Sequence, residues 1–257
     1  MQFDIVKEKV KGVPFITADN ALELYNFIIK NKLTNILELG IAHGTASCYM
    51  AAALDELGGG KLTCVDLIDA ADDFIPSIET QISGLGLNKY VEVHRMKSGY
   101  NWFLHNEIVT CSNNANNICV PKYDLIIIDG PKNWTIDSSS FFLADKLLKD
   151  NGWIIWDDYN WTYANVNNKR EATDGIKHSS LADDEQQIPH IKEIFHLLVM
   201  QHPNYGNFLI NKQGDWAWAN KVKQEVKTVK FYTTKTLSAV VLEKLNAVTR
   251  KVKKMLK

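Results

Sequence analysis

Apolar residues in this chain fall into short unbroken runs separated by stretches with helical spacing. Ile36–Leu39, Lys61–Leu67, Tyr90–His94, Leu125–Ile128 and Trp153–Trp156 have the length and composition of strands. Leu125-Ile126-Ile127-Ile128 has no polar alternation, as expected of a central parallel strand buried on both faces. Thr17–Lys30 predicts a leading amphipathic helix, with Asp19 or Asn20 as its cap and Leu22, Leu24, Tyr25, Ile28 and Ile29 on its apolar face. Thr45–Leu57, Pro76–Leu85, Ser98–His105, Ser138–Leu148 and Ile191–Val199 read as further helices. Gly58-Gly59-Gly60 stops the first of these, and Asn151-Gly152 turns the chain into the fifth strand. Thr110–Asn117 is a polar loop, and Asn207–Ile210 with Trp216–Ala219 form a closing hairpin across Gln213-Gly214.

This alternation predicts an α/β fold: a doubly wound, mostly parallel, seven-stranded Rossmann-like sheet with a C-terminal antiparallel hairpin and a C-terminal helix. Asn160–Pro189 is polar and aperiodic. A structureless stretch longer than about 12–15 residues is usually functional or disordered, so it reads as an active-site loop or lid.

Composition adds limits. The 257 residues, 46% hydrophobic and 23% charged, suit one globular domain, and a net charge of -1 predicts no nucleic-acid partner. Residues 221–257 differ, with 11 Lys and Arg against 2 acids. There Leu237, Val241, Leu245, Val248, Val252 and Met255 form a helical stripe. The chain therefore divides into a domain at 1–220 and a basic amphipathic extension at 221–257. The extension can pack on the domain, pair in a homodimer, or lie on an anionic membrane surface. No apolar run approaches the roughly 18–20 residues of a transmembrane segment. The N-terminus, Met1-Gln2-Phe3-Asp4-Ile5-Val6-Lys7, does not resemble a signal peptide. Cys48 and Cys64 read as small buried hydrophobes, and no C-x-x-C occurs. Cys111 and Cys119 bracket a loop and can pair, but a reduced, cytoplasmic state is the favoured expectation.

The chemistry centres on Glu38-x-Gly40-x-x-x-Gly44, at the end of the first strand. Gly40 allows a tight turn close to a ligand, and Gly44 opens the next helix with its N–H groups free. The middle Gly of the dinucleotide fingerprint is replaced by Ala42, so a cofactor without a pyrophosphate fits better. Glu38 and Asp66 end adjacent strands, where carboxylates can accept ribose hydroxyls; the alternative is a plain tight turn with exposed acids. Asp129, Asp157 and Asp158 end the next two strands. Three carboxylates in one crevice call for a hard cation such as Mg²⁺ or Ca²⁺, or for a retained proton. Strand-end acids facing water or capping helices are the other reading.

Ile36–Gly44 resembles the first motif of class I S-adenosylmethionine-dependent methyltransferases, and Leu62–Asp66 their second. Tyr123–Gly130 and Gly152–Tyr159 resemble their fourth and fifth strands, so the likeness covers roughly Asn35–Tyr159. It implies that Glu38 faces the methionine end of the cofactor and that Asp66, with Leu67 beside it, takes the ribose. It also places Ser98 near the adenine, and Gly40, Gly44 and His43 in the cofactor loop. Asp129-Gly130-Pro131-Lys132 resembles the Asp-x-x-Lys of metal-dependent catechol-type O-methyltransferases. There the Asp binds the metal and the Lys is the base. Asp157-Asp158 stands where that group has Asp-Asn, a departure shared with sugar- and macrolide-modifying O-methyltransferases. Those relatives often carry His in the place of Lys132.

The expectation is an enzyme transferring a methyl to a hydroxyl of a small acceptor, a sugar or glycosylated metabolite favoured, with a divalent cation at Asp129, Asp157 and Asp158. The rivals are an NAD(P)-dependent oxidoreductase on a similar fold and a non-catalytic membrane-peripheral binding protein. Asn133-Trp134-Thr135 and Asn160-Trp161-Thr162 fit a glycosylation pattern that fails without secretion. Trp134 and Trp161 wall an acceptor pocket or fill core. His43 touches the cofactor carboxylate or lies on the helix start, and His178 or His190 is the base if Lys132 is not.

Overall fold

The computed structural model describes residues 1–113, 115–165, 172–173, 175–222 and 229–233. Eight strands form one sheet: β1 (Asn35–Leu39), β2 (Lys61–Leu67), β3 (Val91–Met96), β4 (Tyr123–Ile128), β5 (Leu148–Trp156), β6 (Gly206–Asn211), β7 (Trp216–Asn220) and β8 (Val229–Tyr232). Their spatial order is β8-β6-β7-β5-β4-β1-β2-β3. The five strands from β1 to β5 pair in parallel, and β7 is antiparallel to β5 and β6. The helices are α1 (Phe3–Lys9), α2 (Ala18–Asn31), α3 (Thr45–Glu56), α4 (Ala70–Asp73), α5 (Ile78–Leu85), α6 (Tyr100–Cys111), α7 (Trp134–Leu147), α8 (Asp183–Gln187) and α9 (His190–Ile194).

Period-2 alternation sorts the central strands between two cores. Ile36, Leu125, Ile127 and Ile155 pack with α1, α2, α3 and α5. Leu37, Leu39, Ile126, Ile128, Ile154 and Trp156 pack with α6, α7 and α9 on the other face. Each fully buried aliphatic side chain contributes about 1.5–3 kcal/mol, so these strands tolerate almost no polar substitution. Glu38 is the exception, on the face of Ile36 with only 3% exposure. Chain order reverses between β1 and β4, which opens a crevice at the carboxyl ends of the strands.

Several elements differ from expectation for local reasons. Thr17, not Asp19 or Asn20, caps α2, its hydroxyl accepting from Asn20 N–H at 3.2 Å. α7 starts at Trp134 because Asn133 Oδ1 accepts from Thr135 and Ile136 N–H. Its first turn, Trp134-Thr135-Ile136-Asp137, therefore precedes the expected start at Ser138. β5 begins at Leu148, and Asn151-Gly152 lies inside it as an irregularity that shifts the pairing between Tyr123 and Leu125. α6 continues past the expected end at His105 to Cys111, because Ile108 and Cys111 extend its packing on the core. The polar loop that follows is pinched into a short hairpin, with Ser112–Asn113 paired to Ile118–Cys119.

The sheet has eight strands rather than seven. β8 comes from the segment assigned to the basic extension, where Val229, Phe231 and Tyr232 favour a strand, and it pairs in parallel with β6. The stripe from Leu237 to Met255 lies outside the described residues. Within Asn160–Pro189 the chain forms 3₁₀ turns at Tyr163–Asn165 and His178–Ser180, a small hairpin, and α8. α9 runs into a π-helical turn at Phe195–Val199. All four cysteines are free thiols, so Cys111 and Cys119 are not paired. Among the described residues no helix is long and apolar enough to cross a membrane.

Candidate active site

β1 ends at Leu39, and the chain must turn at once because the β4 end lies beside it. Gly40 makes that turn at φ 94, and a Cβ there would overlap the Asp129 carbonyl oxygen. The two strand ends are tied by Asp129 N–H donating to Leu39 O at 2.8 Å. Gly44 then opens α3 at φ 76, with Ile78 2.5 Å from where its Cβ would stand. Both positions therefore require glycine.

Glu38 lies beneath this loop. Its Oε2 accepts from Ser47 Oγ at 2.5 Å and from Cys64 Sγ at 3.2 Å. Burial outweighs those two bonds, and with Asp129 and Asp66 nearby it pushes the carboxyl up to about 8. Asp66, at the end of β2, accepts from Ile41 and Ala42 N–H at 2.8 and 3.0 Å, so it braces the loop from the neighbouring strand. Leu67 follows it, half-buried, and Ser98 lies exposed just past β3. His43 Nδ1–H donates to Pro76 O at 3.0 Å, and its ring stacks on Phe15.

Asp129, Asp157 and Asp158 each bring one carboxylate oxygen within 4.8 Å of the others. Lys132 Nζ lies 3.0 Å from Asp129 Oδ1 and 3.2 Å from Asp158 Oδ2. The Lys132 ammonium thus pairs with Asp129 and Asp158 and also acts on Asp157. Burial first, then repulsion from Asp129 and Asp158, holds the Asp157 carboxyl well above the usual carboxylate range. Hard oxygen donors this close fit a small divalent cation.

A cleft of about 330 Å³ opens beside Asp157 and Asp158. Phe15, Ile16, Thr17 and Asn20 line one side, and Gly214, Asp215 and Trp216 the other. Phe15 is 61% exposed at φ 81, a conformation costly for a bulky residue and typical of functional sites. Asp215 accepts from Asn160 N–H at 3.0 Å and fastens the chain after Asp158 to the β6–β7 turn.

Residues 37–159 match the family model described as a methyltransferase domain. The fold is shared with an O-methyltransferase from Bacillus cereus solved with SAH, at 20% identity and TM-score 0.57, covering 86% of this chain and 90% of that one. It is also shared with SAH-bound PaMTH1, a methyltransferase of Podospora anserina, at 14% identity and TM-score 0.59, covering 86% and 87%. TomG, an O-methyltransferase of Streptomyces achromogenes involved in tomaymycin synthesis and solved with SAM, matches at 14% identity and TM-score 0.56, covering 86% and 89%. No protein of curated function matches the chain in sequence. Residues 37–159 are thus similar to a methyltransferase domain.

The matched region contains Glu38, Gly40, His43, Gly44, Asp66, Leu67, Ser98, Asp129, Lys132, Asp157 and Asp158. One sheet edge gathers the first loop and the acid cluster, with Gly40 against Asp129. The cleft residues Phe15, Asn20, Asp215 and Trp216 lie outside the matched region and carry no sequence motif. Ser47 was detectable as a polar residue in the apolar helix Thr45–Glu56. Trp134 stands exposed at the start of α7, and Trp161 packs on Tyr163, so neither is among the residues lining this cleft. His178 sets its ring edge-on to Tyr163. His190 has both ring nitrogens engaged, with Trp134 N–H and Glu185 O, which leaves it no role as a base.

Proposed function

We propose that this methyltransferase domain moves a methyl group from S-adenosylmethionine to a hydroxyl oxygen of a small acceptor. The observation that carries the reading is the contact of Gly40 with Asp129, which puts the Glu38 loop and the acid cluster in one crevice. The solved neighbours bound to SAH or SAM support the choice of cofactor. Bound S-adenosylmethionine supplies an electrophilic methyl on a sulfonium.

In this reading Glu38 and the Gly40–Gly44 loop hold the methionine end, Asp66 and Leu67 the ribose, and Ser98 the adenine side. The cleft beside Asp157 orients the acceptor, and orientation is the larger part of the catalysis. Lys132 Nζ takes the hydroxyl proton, which requires its carboxylate partners to be satisfied by another positive charge. Asp129, Asp157 and Asp158 would hold a divalent cation, Mg²⁺ by ligand type, which would supply Lewis acidity that favours the alkoxide. A sugar or glycosylated metabolite fits a cleft with apolar faces at Phe15 and Trp216 and polar groups at Asn20 and Asp215.

Calorimetry with S-adenosylhomocysteine and with NAD tests the cofactor: binding of the first alone supports the reading, and binding of NAD alone rejects it. Methyl transfer to glycosylated acceptors, assayed with Mg²⁺ and with excess EDTA, tests the cation. Undiminished transfer in EDTA removes it from the account.

A further inference from the structure

The loop from Gly130 to Trp134 carries Lys132, which sits at φ 54, a left-handed conformation that a lysine does not favour on its own. Outside contacts hold it there. Gly130 lies against Tyr100, leaving no room for a Cβ. Asn133 N–H donates to the buried Asp137 carboxylate at 2.7 Å. Two further bonds come from beyond β5. Tyr163 Oη donates to Pro131 O at 2.7 Å, and Trp134 N–H donates to His190 Nδ1 at 3.0 Å. His190 Nε2–H donates in turn to Glu185 O at 2.8 Å, which fixes a neutral ring with its lone pair on Nδ1. Tyr163 and His190 are buried, and their ring centroids lie 5.4 Å apart.

We infer that Tyr163 and His190 are positioning residues that brace the loop bearing Lys132 against the acid cluster. The stretch read from sequence as a lid thus acts, at Tyr163, as a fixed support, joined by His190 just past its end. The inference rests on the reading of Lys132 as the proton acceptor. A displacement of about 1 Å at such a group can cost on the order of a hundredfold in rate, which gives the brace its consequence.

Hydrogen exchange on the full chain tests it without an acceptor. Tyr163→Phe removes only the hydroxyl, and His190→Leu removes the acceptor for Trp134 N–H, whereas His190→Asn keeps a carbonyl near the place of Nδ1. Peptides covering residues 130–136 are expected to exchange about tenfold faster in Tyr163→Phe and His190→Leu, with protection restored in His190→Asn. Acetylation of Lys132 by acetic anhydride, read by peptide mapping, should accelerate in parallel, while peptides covering residues 35–46 and the S-adenosylhomocysteine affinity stay unchanged. Unchanged exchange at 130–136 in a folded Tyr163→Phe overturns the brace. Faster exchange throughout the chain also overturns it, since that marks a general structural role. If the wild type fails to bind S-adenosylhomocysteine, the methyltransferase reading falls, and the exchange result still decides the brace.

Discussion

The two halves of the crevice treat their carboxylates differently. At β1 and β2, Glu38 and Asp66 are each met by neutral donors: Ser47 and Cys64 for the first, the N–H groups of Ile41 and Ala42 for the second. At β4 and β5, Asp129, Asp157 and Asp158 lie around a charged donor, the ammonium of Lys132. The first half is a cradle held together by hydrogen bonds from its own strands, loop and helix. The second gathers its acids around a lysine, and in the proposed reading a cation and the reacting hydroxyl meet there.

The largest expected effects break the second half. Asp129→Ala and Asp157→Ala should each lower methyl transfer by about a hundredfold or more, with S-adenosylhomocysteine affinity changed only a few-fold by calorimetry. Lys132→Met should reduce kcat by roughly 10²–10⁴ and leave cofactor affinity in place; an unchanged rate removes Lys132 as the base. Gly40→Ala strikes the junction of the halves and should cost about 3 kcal/mol or more in stability, read by denaturant unfolding, because the new Cβ overlaps the Asp129 carbonyl.

The first half makes a smaller, pH-dependent prediction. The Glu38 carboxyl is raised to about 8 in the folded chain, above its ordinary value of 4.5. Between those values the folded state holds the proton that the unfolded state has lost. Its contribution therefore falls as pH rises through that window. The drop in Tm from pH 5 to pH 8 should be smaller in Glu38→Gln than in the wild type. The smallest effect is Asn133→Ala, which removes the α7 cap and should cost about 1 kcal/mol.

The same contrast explains what could be read from sequence. The cradle is local: Glu38, Gly40 and Gly44 lie within one strand–turn–helix unit, and β1 and α3 place them. The acids were visible because each ends an apolar run. The cleft and the brace were not, because they join residues far apart in the chain. Phe15 and Asp157 line one cleft, and Tyr163 donates to Pro131 O, and no local pattern encodes either arrangement. β8 was hidden by its basic surroundings, since Lys223, Lys227 and Lys230 mask a short strand of Val229, Phe231 and Tyr232.

A crystal structure of the full chain with S-adenosylhomocysteine and Mg²⁺ tests the central claim most directly. The account predicts the nucleoside across the ends of β1 and β2, its sulfur turned toward Asp129, and the ion on Asp129, Asp157 and Asp158. A nucleoside bound anywhere else on the chain, or none bound at saturating concentration, would contradict it.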